Sequence, residues 1–383
     1  MNLHLISDKK FLAGAVALFE RYYPDNNIYI LQISRQETSS VQGNNIYLIP
    51  YHTKKGINIM KKMFAEYPIK NLFIHYLNAG KAATALKLKR DFPLRTFWIF
   101  YGADLYSILA EKFNYQLHDY SINNSSKQRS LSKIINNIKR SLILGADPDK
   151  LVEQFIAQLD HFCFWNEFDY KLLINHFDTK ATFKRFVYYE LIKRSDSFQK
   201  AAIEVADSYV LVNHAASRNG NHKTILSRLY EISHDGRILC PLSYGDDSIR
   251  LAIQDFGIQL FGDQFIPLLA FLPRNLYYKE LDKVSVALFG HRKQEAAGNI
   301  FYLLSKGVKI FLREDNNMML WLKKRGFHVF SFEKDLNSKA DLTGLSPEKA
   351  RENFELISSE FSVAKEKKDM MLLLDYKAEE ESA

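Results

Sequence analysis

Residues 71 to 102 read NLFIHYLNAGKAATALKLKRDFPLRTFWIFYG. Two short apolar runs, NLFIHY (71 to 76) and RTFWIFYG (95 to 102), flank an amphipathic helical stretch, which predicts a strand, a helix and a second strand. A helix between two such strands carries the chain back along the sheet, so the strands run parallel and the helices cover its faces. The same alternation extends outward in both directions. Upstream lie LHLIS (3 to 7), NIYIL (27 to 31) and NIYLIP (45 to 50); downstream, after less regular helical sequence, come HFCFWN (161 to 166), a helix near 169 to 177 and FKRFVYY (183 to 189).

A polar, charged stretch at 192 to 207, IKRSDSFQKAAIEVAD, then interrupts the pattern and is the candidate hinge. A second series follows it: SYVLVNH (208 to 214), RILCPL (237 to 242), IQLFG (258 to 262), VSVALFG (284 to 290), VKIFLR (308 to 313) and HVFSF (328 to 332). Pro347 opens a final helix, a position that suits proline in a first turn, and the charged residues from about 366 are expected to fray. The fold class is therefore α/β, with two Rossmann-like, doubly wound domains at 1–190 and 191–346 and a C-terminal helix and tail at 347–383. Such domains place their functional loops at the carboxyl ends of the strands, here expected to face a shared cleft.

Composition agrees with two packed cores. The chain has 383 residues, 47% of them hydrophobic, with 28 Phe and 21 Tyr against 16 Gly and 9 Pro, which excludes a fibrous or disordered chain. Cys163 and Cys240 stand alone in apolar runs and read as buried free thiols of a reducing compartment. The first residues read as a βα unit and not as a signal peptide, and no apolar run is long enough to span a membrane. A net charge of +8 favours an anionic partner without choosing among nucleotide-sugar, anionic lipid and nucleic acid.

The sequence has no glycine-rich dinucleotide fingerprint, Walker A loop, zinc-protease motif or nucleophile elbow. Its one Asp-x-Asp, Asp147-Pro148-Asp149, reads as a helix cap with a first-turn acid and not as a metal site. Three strand-end segments carry more chemistry. The loop Asn213, His214, Ala215, Ala216, Ser217, Arg218, Asn219, Gly220, Asn221, His222 offers amides and small residues suited to a phosphate or sugar, or simply to a capped helix start. Pro241-Leu242-Ser243-Tyr244-Gly245 is by itself a turn. His291-Arg292-Lys293-Gln294-Glu295-Ala296-Ala297-Gly298-Asn299 sets cations at the start of a helix, where the dipole prefers acids. Those cations make sense beside a bound anion, or on a solvated face.

Taken together, these segments resemble the bacterial dTDP-N-acetylfucosamine:lipid II N-acetylfucosaminyltransferases, with Tyr101-Gly102-Ala103-Asp104-Leu105-Tyr106 and His75 adding to the likeness in the first half. The resemblance covers roughly 70 to 335 and is weakest over 107 to 205. Lys293 and Glu295 depart from it where the family has Arg and Gln, and 107 to 150 is expanded.

The resemblance implies a GT-B glycosyltransferase that moves a deoxy-amino sugar from a dTDP-sugar to a lipid-linked saccharide. It places the donor in the second domain: Asn213, Ser217, Asn219 and His222 would line the pocket, Tyr244 would lie near the base or ribose, and His291, Lys293, Gln294 and Asn299 would face the diphosphate. Fixed cations and a helix start would stabilise the leaving group, so no cofactor and no obligatory metal are expected. Asp104 or His75 would act on the acceptor side as base; Asp104 reads equally as a helix cap, and His75 as a core residue. The expected location is cytoplasmic, peripheral on the inner membrane, with the acid-free basic stretch 121 to 142 touching an anionic membrane surface. A noncatalytic sugar-binding or assembly subunit of the same fold is the alternative; no module supports nucleic-acid binding.

Overall fold

The computed structural model describes residues 1–7, 9–32, 43–119, 138–189, 198 and 208–375. Its contacts divide the chain into two compact units, one of Met1–Asn114, Ile122–Glu190 and Glu366–Ala383, the other of Tyr115–Ser121 and Leu191–Lys365.

Among the described residues the first unit holds seven parallel strands, β1 (Asn2–Ile6), β2 (Asn27–Leu31), β3 (Ile46–Leu48), β4 (Asn71–His75), β5 (Arg95–Ile99), β6 (His161–Phe164) and β7 (Thr182–Arg185). They lie in the order β3-β2-β1-β4-β5-β6-β7, so the winding reverses between β1 and β4. Every residue of β1, β2 and β4 is buried, as expected for strands covered by helices on both faces. The register is pinned by a side-chain ladder at the amino ends: Asn2 donates to Asn27 (2.9 Å), Asn71 to Asn2 (2.8 Å) and Arg95 to Asn71 (3.0 Å). A one-residue slip of any of these strands would break this ladder and turn its side chains to the opposite face.

The described residues of the second unit form six, β8 (Tyr209–Val212), β9 (Arg237–Pro241), β10 (Phe265–Leu268), β11 (Val284–Phe289), β12 (Lys309–Leu312) and β13 (Phe330–Ser331), in the order β10-β9-β8-β11-β12-β13. Here the winding reverses between β8 and β11. Val212, Ile225, Leu229, Ile238, Cys240, Val286 and Leu288 form part of its core. Both cysteines are buried free thiols, and burial pushes each thiol pKa up.

Three expectations are corrected. IQLFG is not a strand but the end of the helix Asp247–Phe261, in which Ile253, Phe256 and Leu260 recur at helical spacing against the core. The strand is the following Phe265–Leu268, whose Pro267 is tolerated because β10 is the edge of the sheet. The chain does not fray at 366: the helix Val363–Leu373 buries Met370 and Leu373 in the first unit. Glu366 pairs with Arg21 at 2.5 Å, and Asp369 accepts from Tyr189 (2.7 Å) and Arg185 (3.0 Å). The described residues of the expected C-terminal helix and tail, 347 to 375, are therefore not a separate part, since the helix Pro347–Glu360 belongs to the second unit and Val363–Leu373 mostly to the first.

Pro347 does open its helix, and Asp147 caps the helix Pro148–Ala157 by accepting from the amides of Asp149 and Lys150. The candidate hinge at 192 to 207 lies outside the described residues except for Phe198, as does the basic stretch up to residue 137. Among the described residues no helix is long and apolar enough to cross a membrane.

Candidate functional site

At the reversal of the second sheet the loops after β8 and β11 are drawn together. Asn213, in the left-handed region at φ 57°, accepts from the amide of Gly290 (2.9 Å) and donates to the carbonyl of Gly220 (2.8 Å). Asn221, also left-handed, donates to the carbonyl of Gly290 (2.8 Å) and accepts from the amide of Asp119 (3.0 Å). Gly290 has to be glycine, because a Cβ there would stand 2.3 Å from the Gly220 carbonyl. These amides therefore position the loops; in Asn213 both amide atoms are used within the fold.

Around this knot stand His214, His222, His291, Lys293 and Glu295. Glu295 pairs with Lys293 at 3.0 Å and lies 3.7 Å from His291 and 3.9 Å from His214. Burial holds His222 and His291 down at about 3, so both are neutral imidazoles at neutral pH. Glu295 is the charged partner: burial raises its pKa, but His291, Lys293 and His214 outweigh that and bring it to about 2. Asn316 donates to the carbonyls of His291 (2.8 Å) and Lys293 (2.9 Å), which holds the turn.

The helix that follows, Ala297–Ser305, starts after Ala296 at φ 64° with no side-chain cap and no acid in its first turn. Its first amides are thus without the usual side-chain acceptor, an arrangement that favours an anion. Lys293 and Gln294 are buried just before it, whereas Asn299 donates to Tyr277 (3.0 Å). Ser217 accepts from the amide of Asn219 (3.2 Å), and Tyr244 is exposed.

In the first unit His75 ends β4, at the other reversal. It shares a hydrogen bond with His4 (3.0 Å) through one ring nitrogen and one with the Tyr188 hydroxyl through the other. Tyr188 in turn meets the Tyr101 hydroxyl at 3.0 Å. Burial lowers the pKa of both histidines, His4 to about 3. Lys81, fully buried, donates to the carbonyls of His75 and Tyr76.

Asp104 is not the cap of its helix. Gly102, at φ 103°, holds that position before Ala103–Lys112. The Asp104 carboxylate accepts instead from Trp98 Nε1 (2.7 Å), the Leu77 amide (3.0 Å) and the Tyr101 amide (3.1 Å), tying together the loops after β4 and β5.

No protein-family model matches the chain, and no curated protein matches it. Solved structures do. Sucrose-phosphate synthase from Thermosynechococcus elongatus superposes with a TM-score of 0.66 at 10% identity, covering 98% of each chain. Anabaena HepE in complex with UDP gives 0.65 at 10% identity, over 98% of this chain and 100% of that one. The Escherichia coli trehalose-6-phosphate protein bound with UDP-2-fluoro glucose gives 0.58 at 10% identity over 99% of each. The chain has the GT-B fold.

In this GT-B chain His214, Asn221 and Glu295 join the site although no expectation from sequence assigned them a role; all three lie in the segments 213 to 222 and 291 to 299. Their signal was chemical: imidazole and carboxylate beside a cationic helix start. Tyr188 and His4 had no local signal, because only the sheet order brings them beside His75, whereas Lys81 lies on the helix that directly follows β4.

Proposed function

We propose that the chain is a glycosyltransferase that holds a nucleotide-sugar at the strand-end loops of its second unit. The observation that carries this reading is the uncapped, acid-free start of the helix Ala297–Ser305, with the Lys293 ammonium, paired with Glu295, just ahead of it in the loop after β11. Helix amides and a fixed cation are the donors a leaving diphosphate needs as charge develops on it. The two GT-B structures with UDP or a UDP-sugar bound are consistent with such a donor.

More finely, the donor is a dTDP-linked deoxy-amino sugar resembling N-acetylfucosamine, and the acceptor a lipid-linked saccharide presented at the inner membrane. The motif order at 213 to 222, 241 to 245 and 291 to 299 supports this finer reading. On the acceptor side the candidates for the base are Asp104, which ties the loops after β4 and β5 together, and His75, almost completely buried and hydrogen-bonded to Tyr188.

Calorimetry with dTDP and UDP tests the donor. dTDP binds the wild-type chain more tightly than UDP, and Lys293→Ala weakens dTDP binding by about 10- to 100-fold, the scale of a lost hydrogen bond to a charged group. Equal affinity of wild type and variant removes Lys293 from the site, and failure of both nucleotides removes the donor reading.

A further inference from the structure

His214, His291 and Glu295 converge where β8 and β11 part. Each offers one ligand atom, and the three atoms lie within 4.8 Å of one another. Glu295 Oε1 is 3.7 Å from His291 Nε2 and 3.9 Å from His214 Nε2. Ligands on one tetrahedral ion, with bonds of about 2.0–2.1 Å, stand about 3.3 Å apart, so a small inward movement of the side chains completes the set.

A second observation points the same way. The His291 side chain is completely buried, and neither of its ring nitrogens has a hydrogen-bond partner among the described residues. A buried polar group left unpaired is destabilising, and a metal bond would satisfy Nε2, the nitrogen that faces Glu295. The Lys293 ammonium lies 3.0 Å from Oε2 of Glu295, and Oε1 is the oxygen nearest the two imidazoles. An ammonium on the second oxygen is a common way to orient a ligating carboxylate. The main chain around the cluster is already held by Asn213 and Asn316.

We propose that His214, His291 and Glu295 form a binding site for a divalent transition-metal ion of the zinc class, three protein ligands with a further position open to an oxygen ligand. Two imidazoles and one carboxylate suit such an ion better than magnesium or calcium, which prefer oxygen alone. The ion would lie one turn ahead of the helix Ala297–Ser305 in sequence. The proposal goes beyond the donor reading and does not depend on it.

The test uses the full chain, stripped with chelator and free of nucleotide, in equilibrium dialysis against Zn²⁺ and in visible spectroscopy with Co²⁺. Wild type takes up about one ion per chain and gives the intense bands of a four-coordinate Co²⁺ site. Glu295→Gln, which keeps the shape of the side chain, weakens uptake by more than about 100-fold, beyond the 10- to 100-fold typical of groups behind the ligands. His291→Asn does the same if circular dichroism shows it folded; Glu295→Gln carries the test if it is not. Absence of uptake by wild type overturns the site, as does undiminished uptake by folded Glu295→Gln. Because no nucleotide is present, either result is separable from the dTDP titration.

Discussion

Asp104 gives the molecule a specific pH dependence. Burial raises its carboxyl from 3.8 to about 6, against the pull of the Leu77, Trp98 and Tyr101 hydrogen bonds. An acid whose folded pKa lies above its unfolded value holds its proton more tightly in the folded chain. The associated stabilisation is present at low pH and is lost as pH rises from about 4 to about 6, by roughly 3 kcal/mol. Asp104→Asn cannot titrate, so across that window its melting temperature loses less than that of wild type, measured by differential scanning fluorimetry in matched buffers. Parallel curves would locate the titration elsewhere. The same variant divides the two roles of the residue: as a tie it retains transfer within about ten-fold, whereas a fall of about 100-fold at unchanged melting temperature makes it the base.

At the scale of elements, two glycines near the donor loops make opposite forecasts. Gly290→Ala puts a Cβ against the Gly220 carbonyl, and backbone on both sides has to move, a destabilisation of about 1–3 kcal/mol. Because Gly290 is the residue that Asn213 and Asn221 clamp, dTDP affinity falls with it. Gly298, in the first turn of the helix Ala297–Ser305, has no atom within 4 Å of an added Cβ. Gly298→Ala therefore raises stability by up to about 1 kcal/mol. Thermal melts of the two variants check the pair: a melting temperature for Gly290→Ala equal to wild type would mean that the clamp between β8 and β11 does not constrain the loop.

On the scale of the whole molecule, the charge of +8 and the run of Lys127, Arg129, Lys133, Lys139 and Arg140 bear on where the protein acts. In the described part of that run Lys139 and Arg140 sit beside exposed Ile138, Leu142 and Ile143, a mixture suited to a lipid surface. A cation near an anionic membrane contributes about 1 kcal/mol, so the five together are expected to give binding that high salt removes. Sedimentation with phosphatidylglycerol vesicles at low salt is expected to carry the chain down, with little binding to phosphatidylcholine vesicles or at high salt. Equal binding to both lipids would rule out the electrostatic attachment.

The alternation of apolar runs with amphipathic helices, read from residues 71 to 102 outward, was sufficient for two parallel α/β units, because strand and helix periodicities are local properties of the chain. The charges at 291 to 299 that a helix start does not favour are likewise legible in the sequence, and the proposed donor site rests on them. Local pattern misled where two elements share one apolar run: IQLFG has strand composition, but its spacing to Ile253 and Phe256 makes it helix, and Pro267 disguised the edge strand that follows. Only the tertiary structure decided that the helix Val363–Leu373 joins the first unit. The residues that answer Arg21, Arg185 and Tyr189 lie more than 150 positions away, and no local periodicity encodes that pairing. The same holds for the meeting of His214, His291 and Glu295. Strand order places the ends of β8 and β11 side by side; burial then keeps His291 neutral, and the groups around Glu295 keep that carboxylate charged against burial.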